Sequence, residues 1–174
     1  AFEDLTEEVV FSLGKALGTE SIIRKQDNFI IGRDGRVSSP QLFEWISQGV
    51  LATGCNVIDI GVVPSPVFYH STFCLNSSSG VVITGSHNPA DYNGFKILFD
   101  NNSTSSEEIQ SIKKRVKEEN FLSGKGNIQS LDVIENYIKD VTNNIKLKRP
   151  LNISIDCGNG AAGVVAERIY KSLG

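Results

Sequence analysis

The chain has 174 residues, a formal net charge of -3, 40% hydrophobic residues and 21% charged residues, which is typical of a soluble globular protein. This charge gives no support for binding nucleic acid or an anionic membrane surface, and no apolar run approaches the roughly 20 residues that a membrane-spanning helix needs. The three cysteines, Cys55, Cys74 and Cys157, are odd in number and far apart, which argues against a disulfide scaffold, favours a reducing cytoplasm and predicts buried structural thiols.

Helical and strand patterns alternate along the first half of the chain. Apolar residues first recur at helical spacing over 5–17. Asp4 with Glu7 resembles a capping box before this helix, and Gly18 can close it. Ser39-Pro40 predicts the start of a second helix. The elements predicted up to residue 75 are a helix over about 5–17, a strand over 28–31, a helix to about 53, a strand over 56–60 and a helix to about 75.

The second half continues this alternation but breaks once. The predicted elements are strands over 80–84 and 95–99, a charged helix over about 106–120, a helix over about 131–145, a strand over 152–156 and a helix over 163–173. The stretch Ser123–Ser130 has no periodicity. We therefore predict a first domain over residues 1–130 and the beginning of a second over residues 131–174.

Strands separated by helices of ten or more residues predict an α/β fold with a mostly parallel sheet. Ligands of such folds bind at the carboxyl ends of the strands, which here are residues 32–39, 61–66 and 85–94. The last unit has one predicted strand and one predicted helix, too few to bury both faces of a sheet. We therefore expect an incomplete second α/β unit, as in a chain that ends inside its second domain.

The loop after the third strand carries the most chemical information. A buried strand delivers Ser86 into this loop, where Gly85 leaves room for a phosphate or sugar to approach the backbone. The side chains of His87 and Asn88 and the loop N–H groups can donate hydrogen bonds to an anion, and Lys96 adds a cation. These residue types fit a phosphoryl-transfer site, although their spacing alone is more typical of a capped, solvent-exposed loop.

This loop resembles the active-site loop of the α-D-phosphohexomutase superfamily, which has the form (T/S)-(A/G)-S-H-N-P followed by N-G-(F/Y/I)-K. Here it reads Thr84-Gly85-Ser86-His87-Asn88-Pro89, then Tyr92-Asn93-Gly94-Phe95-Lys96. Two further segments agree: Gly32-Arg33-Asp34-Gly35-Arg36 with Ser38 resembles an upstream G-R-D-x-R-x-S motif, and 156–163 resembles the opening of the second domain. The loop is most similar to the bacterial phosphomannomutase/phosphoglucomutase branch, since phosphoglucosamine mutases usually carry Ala before the serine.

The resemblance implies an isomerase of carbohydrate metabolism that moves a phosphoryl group reversibly between C1 and C6 of a mannose or glucose phosphate. Ser86 would be the phosphoserine of the resting enzyme and would act through a bound 1,6-bisphosphate, with glucose 1,6-bisphosphate as activator. Mg²⁺ would be held by the phosphate on Ser86 and by three aspartates of a D-G-D-x-D-R loop in the second domain. No such loop occurs in these 174 residues.

We also expect a layered α/β/α first domain with a mixed, mostly parallel sheet of the phosphoglucomutase domain I type. The expected partners are the hexose phosphate and the missing parts of domains II–IV, so we expect this chain alone to lack mutase activity. We expect catalytic roles for Ser86, Lys96 and His87. Substrate or phosphate binding, or support of the site, is expected of Arg33, Asp34, Arg36, Asn88 and Asn93.

Several alternatives stay open at this stage. Arg33, Asp34 and Arg36 could form a purely structural ion-pair cluster. A serine hydrolase could use Ser86 with His87, although no G-x-S-x-G elbow is present. The chain could also be a phosphoglucosamine mutase or a non-catalytic phosphate-binding fragment. Residues 158–163 match G-x-G-x-x-G, which is a weak signal for nucleotide binding. His70 lies among aromatic residues of a predicted helix and is expected to be structural. The sequence does not distinguish mannose from glucose.

Overall fold

The computed structural model describes residues 3–174. Alternating helices and strands appear, as the periodicity predicted. In chain order the elements are α1 Glu7–Ile23, β1 Asn28–Arg33, α2 Ser39–Leu51, β2 Asn56–Val62, α3 Ser65–Cys74, β3 Gly80–Ile83, β4 Phe95–Phe99, β5 Asn102–Ser103, α4 Ser106–Lys117, β6 Ile128–Ser130, α5 Ile134–Asn144, a 3₁₀ turn Ala161–Val164 and α6 Ala166–Leu173.

The six strands form one mixed sheet in the order β5-β4-β3-β1-β2-β6. The pairs β3–β1, β1–β2 and β2–β6 are parallel, whereas β4 pairs antiparallel with both β3 and β5. The expected mixed, mostly parallel sheet is thus confirmed. The carboxyl ends of β1, β2 and β3 lie side by side at one edge, because parallel strands point the same way.

Helices cover both faces of this sheet and bury two separate apolar clusters. On β1, Phe29 and Ile31 belong to one cluster and Ile30 to the other, as the alternation of strand side chains requires. The first cluster includes apolar residues of α1, α2 and α4, and the second includes those of α3 and α5. β1 is therefore buried on both faces, which explains its continuous apolar sequence.

Helix α1 extends beyond the end predicted at Gly18 and continues to Ile23. Its N-cap is Thr6, whose hydroxyl accepts from the Val9 N–H at 3.4 Å, so the capping box predicted at Asp4 was also wrong. Gly18 lies against α2: a Cβ there would come within 3.0 Å of the Val50 carbonyl oxygen. This glycine therefore permits close helix packing and does not end the helix.

Two short strands were missed by the sequence analysis. β6 lies in the stretch that was predicted to be irregular, and it pairs with β2 at the sheet edge. All three of its residues are exposed, so no burial pattern marks it as a strand. β5 has only two residues, which is too short for any periodicity.

The strand predicted over 152–156 is wrong. These residues form no regular element, and Ile153 and Ile155 are 47% and 45% exposed. An apolar alternation becomes a strand only when a neighbouring strand pairs with it, and no strand of the described residues 3–174 does so. The exposed apolar side chains instead line an open hollow of about 910 Å³ over residues 147–174.

The domain boundary predicted at residue 130 stays a prediction. Helix α5 lies beyond it, yet Val133 and Ile138 belong to the same apolar cluster as the α3 residues Val67 and Phe68. Within residues 3–174, no helix is both long enough and apolar enough to cross a membrane.

Candidate active site

A cavity of about 650 Å³ lies at the carboxyl ends of β1, β2 and β3. Each of these strands contributes the segment that follows it, at the edge where the sequence predicted ligand binding. The lining residues after β1 are Asp34, Gly35 and Arg36, and those after β2 are Val63, Pro64 and Ser65. Those in and after β3 are Val82, Thr84, Ser86, His87, Asn88 and Ala90. The last part of the lining is residues 158–162, which belong to the carboxyl-terminal unit, residues 147–174. Ser86, His87 and Asn88 are exposed, so reagents in the cavity can reach them.

Ser86 lies at a tight turn in a left-handed backbone conformation, with φ of 51°. Its N–H donates to the Thr84 hydroxyl at 2.9 Å, and the Asn88 N–H closes the turn on the Gly85 carbonyl at 2.9 Å. A non-glycine residue in this conformation costs on the order of 1–3 kcal/mol, and it persists only where the surroundings enforce it. The loop that presents Ser86 is therefore held in place by other contacts.

The Arg36 guanidinium supplies those contacts. Its Nη2 donates to the carbonyl oxygens of Ser86 and Asn88 at 3.1 and 2.7 Å. Its Nη1 donates to the carbonyl oxygens of Pro89 and, at 3.0 Å, Tyr92. One side chain thus binds four carbonyls spread over the whole serine loop. Arg36 was expected to bind phosphate or support the site, and these contacts give it the supporting role.

Gly85 leaves the space that this arrangement uses. A Cβ at Gly85 would overlap the Arg36 guanidinium. We expected Gly85 to leave room for a phosphate or sugar; the space is taken instead by the arginine that holds the loop.

Asp34 orients Arg36 and joins it to the serine loop. Its carboxylate accepts from the Arg36 Nε at 3.2 Å and N–H at 3.1 Å, from the Ser39 hydroxyl at 2.7 Å and from the Gly85 N–H at 3.1 Å. Burial alone would raise the pKa of Asp34, but the hydrogen bonds from Ser39, Arg36, Thr84 and Gly85 together lower it. The carboxylate is therefore ionised at neutral pH.

Asn93 ties the far end of the loop to the start of α2. Its side-chain amide donates to the hydroxyls of Ser38 and Ser39 at 2.9 and 3.0 Å, and its own oxygen accepts from the Gly94 N–H. Asn93 is not among the cavity-lining residues. Its contacts place it as a support of the site, and the upstream Gly-Arg-Asp segment and the serine loop are thus one connected network.

Arg33 lies outside that network. Its Nη1 donates to the Asp59 carboxylate at 2.8 Å, and its guanidinium lies 4.4 Å from the centroid of the Phe43 ring. These contacts link β1 to β2 and α2, and Arg33 does not line the cavity. The structure thus separates Arg33 from Arg36, although the two are three residues apart in sequence.

His87 and Lys96 take different positions relative to Ser86. The Nδ1 atom of His87 lies 3.3 Å from the Ser86 Oγ. Lys96 pairs with Val82 across β3 and β4, so both side chains lie on the same face of the sheet. Val82 lines the cavity, whereas Lys96 is exposed and is not among the residues that line it.

The serine loop does not have the geometry of a hydrolase elbow. Such an elbow places the nucleophile between a strand and the helix that follows it. Ser86 instead lies between β3 and the antiparallel strand β4. The contact between His87 and the Ser86 hydroxyl therefore gives only weak support for acyl transfer.

One wall of the cavity was missed as a site by the sequence analysis. Residues 158–162 line the side opposite the serine loop, and Gly158 and Asn159 have φ values of 54° and 56°. The available signal was their place directly after a predicted strand, where parallel folds bind ligands. Residues 158–163 were weighed only as a nucleotide fingerprint and as the opening of a second domain.

The described residues do not form a magnesium site around Ser86. Mg²⁺ demands near-octahedral oxygen coordination, usually with carboxylates. Within residues 3–174, the one group of three or more potential ligands is His70, Cys74 and Asp140, none of which lines this cavity. The Asp34 carboxylate already accepts four hydrogen bonds. The geometry therefore does not hold Mg²⁺ by itself.

Comparison with known proteins gives one consistent result. Residues 1–123 match the family described as phosphoglucomutase/phosphomannomutase, alpha/beta/alpha domain I. The chain is 40% identical over 172 residues to a phosphomannomutase/phosphoglucomutase of Pseudomonas aeruginosa, and 39% identical over 172 residues to a phosphoglucomutase of Neisseria meningitidis. The alignments cover 99% and 98% of this chain but 37% of each relative.

A solved structure agrees with these matches. The phosphoglucomutase/phosphomannomutase family protein of Burkholderia thailandensis superposes with a TM-score of 0.91 at 38% identity, over 96% of this chain and 38% of that chain. The α/β/α architecture of phosphoglucomutase domain I, expected from the serine loop, is thereby confirmed. The chain belongs to the phosphoglucomutase/phosphomannomutase family, and it spans somewhat more than a third of the length of these relatives.

Proposed function

We propose that this chain provides the phosphoserine part of a mutase that moves a phosphoryl group between C1 and C6 of a glucose or mannose phosphate. The observation that carries the proposal is the placement of Ser86. Its hydroxyl lies at the tip of a clamped loop, on a cavity at the carboxyl ends of three parallel strands. The names of the relatives, phosphomannomutase/phosphoglucomutase and phosphoglucomutase, support the hexose phosphate class.

In the proposed reaction, Ser86 carries a phosphoryl group on Oγ. The free hydroxyl oxygen of a hexose phosphate attacks phosphorus and the bond from phosphorus to the Ser86 Oγ breaks. The sugar hydroxyl loses its proton to a base, and the Ser86 Oγ takes up a proton. The bound product is a hexose 1,6-bisphosphate. The reverse step, at the other phosphate of the sugar, returns a phosphoryl group to Ser86.

The roles of the other residues follow from where they lie. His87 is close enough to the Ser86 Oγ to bind a phosphoryl oxygen on it. For Lys96, on the strand that pairs with β3, we propose that it neutralises the transferred charge or moves the proton of the attacking hydroxyl. Asp34, Arg36 and Asn93 hold the serine loop in position. Activation by glucose 1,6-bisphosphate, use of Mg²⁺ and a cytoplasmic location are parts of the same proposal.

The first prediction concerns the phosphate. In an active enzyme that contains this chain, we expect one phosphate on Ser86 as isolated, because only that hydroxyl lies at the tip of the clamped loop. Intact mass and peptide mapping measure it, and Ser86→Ala removes it. Ser65→Ala, which changes another serine on the cavity wall, leaves it in place. Phosphate on a different residue of an active preparation would contradict the assignment.

The second prediction concerns Lys96. We expect Lys96→Ala to lower turnover in the same enzyme on the order of 100-fold or more, since a positioned proton-transfer or charge-stabilising group is lost. Its side chain is exposed, so the free energy of unfolding should change by no more than about 0.5 kcal/mol. Lys113→Ala, an exposed lysine of α4, is the control and keeps full activity. Near-normal turnover in Lys96→Ala would make this lysine a solvent-exposed strand residue.

The third prediction separates the two arginines. Lysine lacks the forked donors that bind four carbonyls at once, so we expect Arg36→Lys to loosen the serine loop and reduce kcat by up to about 100-fold. Arg33→Lys, with an ion pair of similar burial but no place on the cavity, changes stability and leaves kcat nearly unchanged. Equal losses of kcat in the two variants would show that Arg36 has no special role at the loop.

The fourth prediction concerns the chain alone. We propose that these 174 residues by themselves do not convert glucose 1-phosphate to glucose 6-phosphate. The described residues lack a cage for Mg²⁺ near Ser86, and positioning of the reactants can account for roughly 7–11 kcal/mol of a barrier. The assay contains Mg²⁺ and a trace of glucose 1,6-bisphosphate. A rate within about tenfold of that of a complete relative, equivalent to about 1.4 kcal/mol, would contradict this proposal.

A further inference from the structure

Three potential metal ligands from two helices meet on the side of the sheet opposite α1 and α2. His70 and Cys74 lie four residues apart on α3, and therefore on the same face of that helix. Asp140 reaches them from α5. One ligand atom from each of the three side chains lies within 4.8 Å of the other two. We propose that these three side chains form a binding site for a divalent transition-metal ion of the Zn²⁺ type.

The distances fit such an ion. Zn²⁺ binds sulfur at about 2.3 Å and nitrogen or oxygen at about 2.0–2.2 Å, so tetrahedral ligands lie about 3.4–3.6 Å apart. The Cys74 Sγ lies 3.5 Å from the His70 Nε2. The His70 Nε2 lies 2.8 Å from the Asp140 Oδ2, as in a hydrogen bond. That pair opens by rotation of the Asp140 side chain, which is 54% exposed.

The donor atoms of the three side chains determine which metal ion the site prefers. A thiolate with an imidazole favours Zn²⁺ and similar transition metals, whereas Mg²⁺ prefers oxygen ligands and retains water. Three protein ligands leave a fourth tetrahedral position for water. On binding, the Cys74 thiol releases its proton to solvent. The proposed site therefore does not compete for the Mg²⁺ of the mutase reaction.

The site is separate from the cavity at Ser86. Pro64 and Ser65, at the start of α3, line that cavity, whereas Cys74 is the last residue of the helix. A ten-residue helix is about 15 Å long. His70 lies in the middle of α3 and Cys74 at its end, and neither they nor Asp140 are among the residues that line the cavity. This proposal stands whether or not the proposed mutase function is correct.

The surroundings already hold the ligands near one another. The ring of Tyr137 on α5 meets the His70 ring edge-on, with centroids 5.3 Å apart. Tyr137 and Asp140 are three residues apart, so one face of α5 contacts the imidazole twice. The exposure of Cys74 corrects the expectation that all three cysteines are buried. A bound ion would add a further link between α5 and α3 to the contacts that His70 makes with Tyr137 and Asp140.

Titration with Co²⁺ tests the site directly. The purified protein is titrated in phosphate-free buffer with a reductant that is not a thiol. We expect one Co²⁺ per chain, with visible bands of a tetrahedral ion and a near-ultraviolet band from thiolate to cobalt, both displaced by Zn²⁺. A Co²⁺ ion bound by phosphate or carboxylate oxygens at Ser86 gives no thiolate band, so the readout distinguishes this site from one at Ser86.

Matched variants locate the ion. Cys74→Ser abolishes the thiolate band, and Cys157→Ser keeps it. Asp140→Asn keeps the band but weakens binding at least about tenfold, since even outer partners of a metal site contribute that much. Excess Zn²⁺ raises the midpoint of thermal unfolding of the native protein, as linkage requires, and does not raise that of Cys74→Ser. The unliganded variants are compared by their own unfolding curves, so a loss of fold is recognised.

Three results would overturn the proposal. The first is a native protein that binds neither Co²⁺ nor Zn²⁺ at micromolar concentration, which would make His70 and Asp140 a structural pair only. The second is a thiolate band that survives in Cys74→Ser. The third is a band that disappears in Cys157→Ser, which would move the thiolate ligand to the carboxyl-terminal unit.

Discussion

The contact between the Arg36 guanidinium and the backbone of the serine loop is the constraint on which the site depends. A left-handed Ser86 costs on the order of 1–3 kcal/mol, and hydrogen bonds to a charged group stabilise by about 1.5–3 kcal/mol each. Four such bonds to loop carbonyls therefore exceed the strain of the turn. The absence of a side chain at Gly85 follows from the same contact, because the arginine occupies that space.

This constraint also explains why two distant stretches of sequence form one site. Asp34 and Arg36 follow β1, and the serine loop follows β3; these two strands are parallel neighbours in the sheet. The order of the strands places the two loops side by side. Asp34 then accepts from both of them, through Arg36 and through the Gly85 N–H. The sheet topology sets the position of the two loops, and the hydrogen bonds to the ionised Asp34 carboxylate make their arrangement rigid.

The sequence predicted the parts of the structure that depend on local patterns. The buried strands were found because their residues are apolar on both faces. Ser86, His87 and Asn88 were singled out because the loop pattern is specific, and all three line the cavity. Arg36 and Asn93 were found with their chemical roles undecided. Whether an arginine binds phosphate or backbone carbonyls depends on which loop lies opposite, and the sequence around residue 36 does not contain that information.

The failures have a common physical cause, which is dependence on a neighbour. Gly18 was predicted to end a helix because its close approach to α2 is a tertiary contact. β6 was missed because an exposed edge strand is defined by its hydrogen bonds to β2 and not by its own side chains. The strand predicted over 152–156 fails for the opposite reason. Its sequence has the apolar alternation of a strand, but no strand of residues 3–174 pairs with it.

The carboxyl-terminal unit, residues 147–174, depends on a neighbour in the same way. Several of its apolar residues remain exposed over 147–174, yet the turn at 158–162 lines the cavity that holds Ser86. Within this turn the Gly158 N–H donates to the Asp156 carboxylate at 2.8 Å and the Gly160 N–H donates to the Cys157 carbonyl at 2.8 Å, so local hydrogen bonds hold the residues at positive φ. The cavity is thus lined by a loop fixed through Arg36 and by a turn that belongs to a segment with uncovered apolar residues. Burial of those residues against another surface would stabilise that segment, and with it this part of the cavity lining.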